Sequence, residues 1–139
     1  MIEEGKVDIE ILKAFIASID IFSELPDNVI EEMAKPMVLY RFDEGESLIV
    51  KDKAARFMYL VYNGTVTVDI GDKKIQLSTG TVLGEMSLLS GQRSTADVIA
   101  DTDTTAFIIN RFFFNKLISE HEELESVMSI LMKSRKGED

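Results

Sequence analysis

The stretch FMYLVYNGTVTVDI, residues 57–70, decides the fold class. In its second half Val66, Val68 and Ile70 face one side and Thr65, Thr67 and Asp69 the other, the period of a half-buried strand. Its first half is apolar without a break. The halves meet at Asn63-Gly64, a dipeptide suited to a two-residue hairpin because both positions tolerate positive φ. Two strands joined by a tight turn are predicted.

The same reading extends outward in both directions. MVLYRF (37–42), SLIV (47–50), KIQL (74–77), TVL (81–83), TADVIA (95–100) and TTAFII (104–109) are short apolar runs at close intervals. Glu44-Gly45, Gly71-Asp72, Thr79-Gly80 and Asp101-Thr102-Asp103 punctuate them. About eight strands in about seventy residues predict a mainly β domain, an eight-stranded, jelly-roll-like β-roll over 37–110. Helical spacing flanks it. Ile9, Leu12, Phe15, Ile16 and Ile19 make a stripe within 7–22, and Pro26 opens a second short helix that runs to about Ala34, before Pro36. Two C-terminal helices are expected over 111–120 and 121–135, the latter with Leu124, Val127, Met128 and Leu131 on one face. Ile130 and Met132 lie off that stripe and widen the apolar surface, which suits a lid, a protein partner or a homodimer seam. The whole of 1–139 reads as one domain.

Composition narrows the function. With 25 acidic and 15 basic residues the net charge is −10, which repels nucleic acid and an anionic membrane. No lysine-arginine stripe offsets it. Cysteine is absent and His121 is the one histidine, so structural zinc, iron–sulfur clusters, cysteine nucleophiles and histidine-rich metal enzymes are excluded. His121 sits in an acidic helical stretch, SEHEELES, as a solvated surface residue. The start lacks a signal peptide's basic character, and AFIINRFFF is too short to cross a bilayer. A cytoplasmic protein without catalytic or metal-binding residues is expected.

One segment breaks the strand pattern. Within Gly80–Val98, GTVLGEMSLLSGQRSTADV, a helix over 85–90 is inserted between strands. Its first turn presents amides without helical acceptors, and Gly84 allows close approach of a ligand to the backbone. That arrangement suits a phosphate. Glu85 repels a phosphate but accepts hydrogen bonds from a sugar hydroxyl, and the pair of preferences describes a nucleotide. A helical corner with Glu85 as a first-turn charge fits the spacing equally well.

The string L-G-E-M-S-L-L-S-G-Q and the order of elements resemble the phosphate-binding cassette of the cyclic nucleotide-binding domain family. That family includes regulatory subunits of the cAMP-dependent kinase, catabolite-activator-type transcription factors and cyclic-nucleotide-gated channels. The likeness covers about 15–130 and includes Phe22-Ser23-Glu24-Leu25, Gly45, Met58-Tyr59-Leu60-Val61 before Gly64, and Gly80. It implies a regulatory domain that binds cAMP or cGMP. Glu85 would take the ribose 2′-hydroxyl, and amides near Met86 and Ser87 the cyclic phosphate. Two departures stand out. The family's phosphate-pairing arginine, counted back from Ala96 and Val98, falls on Ser94, while Arg93 is one residue early. In a strand that offset turns Arg93 to the other face unless a bulge intervenes, and Thr95 remains as a hydroxyl donor. Lys51 also replaces a glycine usual in the loop after the second strand. The ligand set expected is Gly84, Glu85, Met86, Ser87, Arg93, Ser94 and Thr95. The competing expectation is a degenerate member that works through protein contacts on 124–132.

Overall fold

A computed structural model of the chain describes residues 1–136. Nine strands form among the described residues: β1 (Ile2–Gly5), β2 (Val38–Phe42), β3 (Ser47–Ile49), β4 (Phe57–Asn63), β5 (Val66–Asp69), β6 (Lys74–Leu77), β7 (Val82–Leu83), β8 (Asp97–Ala100) and β9 (Thr104–Asn110). Eight are the runs read from the sequence. β1 is an addition to the eight-stranded roll, an exposed edge strand paired with β2. All ladders are antiparallel, in two sheets of order β1-β2-β9-β4-β7 and β3-β8-β5-β6.

The two kinds of apolar run reflect two kinds of strand. β4 and β9 lie inside the larger sheet and are covered on both faces. Met58, Leu60, Phe107 and Ile109 enter the core beneath the helices, while Tyr59, Val61, Ala106 and Ile108 enter the core between the sheets. Both strands therefore read as continuous apolar sequence. β5 has one buried face, on which Val66 and Val68 meet the inter-sheet core, so it alternates.

The helices close the larger sheet's other face. They are α1 (Ile9–Ser18), followed by a 3-10 turn at Asp20–Phe22, then α2 (Asp27–Ala34), α3 (Glu85–Ser90), α4 (Arg111–Glu120) and α5 (Glu122–Lys136). Asp8 caps α1 by accepting the amides of Glu10 and Ile11, and Asn110 caps α4 by accepting that of Phe113 at 2.9 Å. Leu12, Ile16, Phe22, Met33, Phe114, Leu124 and Met128 bring five helical segments into one core.

Asn63-Gly64 is not the hairpin its sequence suggests. β4 and β5 belong to different sheets, so the dipeptide is a corner between layers. The physical reason is the second corner, Asp101–Asp103, which carries the chain from β8 back to β9 and packs against the first. The Thr104 hydroxyl donates to the Thr65 carbonyl, and the Asp101 amide donates to the same oxygen at 2.9 Å. Gly64 has φ +114, and a Cβ there would lie 2.5 Å from Thr104 Oγ1 and 2.9 Å from its Cα. Glycine is required by this close approach as well as by φ. The two-residue hairpin is Gly71-Asp72, between β5 and β6, where the Ile70 amide donates to the Lys73 carbonyl at 3.0 Å.

Tyr59 ties the sheets together. Its hydroxyl donates to the Leu48 carbonyl at 2.8 Å, and burial pushes its pKa up to about 12. The unfolded phenol titrates near 10, so above about pH 10 the unfolded chain releases a proton that the native state keeps. Stability is then lost as pH rises, by about 2–3 kcal/mol in total once both forms are ionised. Urea unfolding of wild type and Tyr59→Phe at neutral pH and near pH 11 isolates this contribution from that of Tyr40, whose pKa is also raised, by burial and by Glu3. The variant is expected to be about 1 kcal/mol less stable at neutral pH, because the Leu48 carbonyl loses its donor. It should also lose less stability on going alkaline. Equal alkaline losses would contradict the assignment.

Candidate ligand-binding site

The site is built at the exit of β7. Gly84 turns the chain with φ +86 and ψ −9, against the backbone of β4, and α3 starts at the next residue. Its first intrahelical bond runs from the Leu88 amide to the Gly84 carbonyl, 3.2 Å. The amides of Met86 and Ser87 precede that bond and have no acceptor four residues back. Leu88 anchors the helix in the core beneath, and the Gly91 amide closes it on the Ser87 carbonyl at 2.9 Å. Glu85 is 1% exposed, an uncommon position for a carboxylate.

The Ser87 hydroxyl is engaged within the protein. The Ser87 Oγ accepts from the Ala55 amide at 3.0 Å and donates to the Gln92 carbonyl, which clamps α3 to loop 50–56 and to its own exit. The same loop runs beside residues 93–94. Ala54 bridges Arg93, the Asp52 amide donates to the Ser94 carbonyl at 2.8 Å, and the Ser94 amide donates to the Lys53 carbonyl at 2.9 Å. The Lys51 substitution is accommodated because the left-handed residue of this turn is Asp52, φ +68, while Lys51 donates its amide to Asp97 Oδ1. Aspartate tolerates that conformation better than most side chains.

Gly84, Glu85, Met86 and Ser87 thus share one helical turn, as the sequence placed them. The following residues are arranged differently from a strand. β8 begins at Asp97, not at Thr95, because the Ser94 hydroxyl bonds both the amide (3.2 Å) and the carbonyl (2.8 Å) of Ala96 and replaces the ladder there. Counting faces back from Val98 therefore does not fix where residues 93–95 point. Arg93 is exposed, and its Nη1 donates to the Asp52 carbonyl at 2.9 Å; Thr95 is exposed and Ser94 half-buried. Loop 50–56, of which only Lys51 stands out in the sequence, borders this helical turn. Nothing local marks it, since its contacts with α3 span about thirty residues of chain.

Residues 39–121, more than half of the chain, match the family model of the cyclic nucleotide-binding domain. The chain belongs to the cyclic nucleotide-binding domain family. Among its relatives, the domain is 30% identical over 127 residues to the cGMP-dependent 3′,5′-cGMP phosphodiesterase A of Dictyostelium discoideum, covering 91% of this chain and 14% of that protein. It is 29% identical over 110 residues to the human potassium/sodium hyperpolarization-activated cyclic nucleotide-gated channel 2, covering 78% of this chain and 12% of the channel. The chain thus spans a small part of the relatives it matches.

Solved structures of protein kinase A regulatory domains and subunits share the fold. The regulatory domain of Toxoplasma gondii PKA crystallised with cAMP has a TM-score of 0.81 at 18% identity over 93% of this chain and 50% of that one. The regulatory subunit of a cAMP-independent protein kinase A from Trypanosoma cruzi, bound to guanosine, has 0.79 at 24% over 94% and 46%. Among the described residues, no helix is long and apolar enough to cross a membrane.

Proposed function

We propose that residues 1–139 form one regulatory domain that binds cAMP or cGMP and signals through α4 and α5 rather than performing catalysis. The observation that carries this reading is Glu85, buried at the first turn behind the left-handed Gly84. A carboxylate serving only the helix dipole contributes about 0.3–1 kcal/mol and has no need of burial. A ribose hydroxyl is a donor suited to it, and the adjoining Met86 and Ser87 amides suit the phosphate. Leu88 of α3 shares a core with Leu124 and Met128 of α5, so a ligand that shifts the cassette biases the position of α5. A cytoplasmic location follows from this role. A protein partner or second copy would be met through the 124–132 face, where Ile130 is 64% exposed.

A second reading is favoured by Arg93. With its guanidinium on the Asp52 carbonyl and Ser94 at the family's arginine position, the cassette would take a nucleoside without a charged phosphate, or no nucleotide. The guanosine-bound, cAMP-independent T. cruzi subunit is a precedent of the same fold. Calorimetric titration of the whole chain with cAMP, cGMP and guanosine separates the readings. Heat with a cyclic nucleotide, at a Kd from about micromolar to about submillimolar, is expected. Heat with guanosine alone would support the second reading, and silence at millimolar ligand would reject nucleoside recognition altogether.

A further inference from the structure

Basic residues that are scattered in sequence converge in space around α3. Loop 50–56 is fastened to the cassette through the Ala55–Ser87 bond and the Ala54–Arg93 bridge. The Arg111 amide donates to the Arg56 carbonyl at 3.0 Å, and Arg111 Nη2 lies 3.7 Å from where a Cβ on Gly91 would stand. Lys51, Lys53, Arg56, Arg93 and Arg111 therefore arrive from three separate segments at the border of one six-residue helix. All five are exposed, and none is in an ion pair among the described residues. The carboxylates of these segments are Asp52, exposed, and Asp97, half-buried on the Lys51 amide, with Glu85 buried in α3. A third of the chain's 15 basic residues thus stands at one rim of a protein of net charge −10, which corrects the expectation that no basic grouping offsets that charge, because the five come from segments far apart in sequence.

We infer that this rim is an electrostatic collar that captures an anionic ligand, a phosphate-bearing nucleotide in preference to a neutral nucleoside. The inference rests on the proposed cyclic nucleotide reading and deepens it. A chain of this net charge repels a phosphate at long range, whereas a local cluster of unpaired cations reverses the field where the ligand must enter. Each exposed cation adds little to contact affinity. Their summed field acts during approach, so the effect appears in the association rate and not in residence time. No member of the collar needs to touch the phosphate, which agrees with Arg93 pointing to Asp52.

Stopped-flow capture of a fluorophore-tagged cAMP by the full chain tests this, with Lys51→Gln/Lys53→Gln/Arg56→Gln as the variant. At about 0.01 M salt the variant's association rate is expected to fall about tenfold, with its dissociation rate unchanged. The difference should vanish near 1 M salt, where the screening length shrinks to about 3 Å. The control removes as many charges elsewhere, at Lys6, Lys35 and Lys116, which line a groove between α2 and α4. The control variant is expected to capture at the wild-type rate. Equal slowing in both variants would reduce the effect to net charge and overturn the collar. So would binding whose rate is insensitive to salt, or a loss confined to dissociation. If no cyclic nucleotide binds at all, the proposed function fails and takes the collar with it, an outcome distinct from salt-insensitive binding.

Discussion

Glu85→Gln should weaken cyclic nucleotide binding about tenfold, and Glu85→Ala by one to two decades. A hydrogen bond to a charged group contributes about 1.5–3 kcal/mol and a neutral one about 0.5–1.5, so the amide retains part of the contact and alanine none. The glutamine is nearly isosteric, which matters at a position 1% exposed, where alanine would also leave a void. Calorimetry with cAMP and with its 2′-deoxy analogue makes the test specific to the sugar. Wild type should lose a comparable factor on removal of the 2′-hydroxyl, and Glu85→Ala should show little further loss, since the two changes delete one interaction. Additive losses would place the carboxylate's role elsewhere.

Gly84→Ala should destabilise the domain by about 3 kcal/mol and abolish binding. Two effects combine. A side chain at φ +86 costs roughly 1–2 kcal/mol from backbone sterics alone. The added Cβ would also stand 2.4 Å from the Phe57 carbonyl oxygen. That oxygen belongs to β4, which is paired on both sides by β9 and β7 and cannot withdraw. The cassette must move instead, carrying Glu85 and the first-turn amides away from the ligand. Gly80→Ala is the matched control, because φ there is +91 but nothing lies within 4 Å of the added atom. It should lose only the backbone term, seen as a smaller fall in the urea midpoint, and keep its affinity. Similar losses in the two variants would show that the close approach at Gly84 is unimportant.

Both predictions concern residues that the sequence singled out, and the reason is local. Gly84, Glu85, Met86 and Ser87 are consecutive, so one helical turn inserted among strands was enough to group them. The period-two runs likewise gave eight strands, because strand patterning is set by which faces are buried. The stretch 57–70 shows where such reading stops. It was right that two strands meet at Asn63-Gly64, and wrong that they pair. Whether a tight turn returns a strand to its neighbour or sends it to another sheet depends on the Asp101–Asp103 corner, which is far away in sequence.

What the sequence alone determined is therefore the eight strands of the roll, the flanking helices, their order and the grouping of the cassette residues, all governed by contacts between near neighbours or by periodic burial, while the family was legible as a resemblance in the string L-G-E-M-S-L-L-S-G-Q. The tertiary structure alone decided the sheet partners, the exposed N-terminal edge strand, the engagement of Ser87 Oγ by loop 50–56 and of Arg93 by Asp52, and the gathering of five cations around α3. Each of these joins segments separated by tens of residues, and hydrogen bonds and fields across such gaps leave no periodic trace in the chain that makes them.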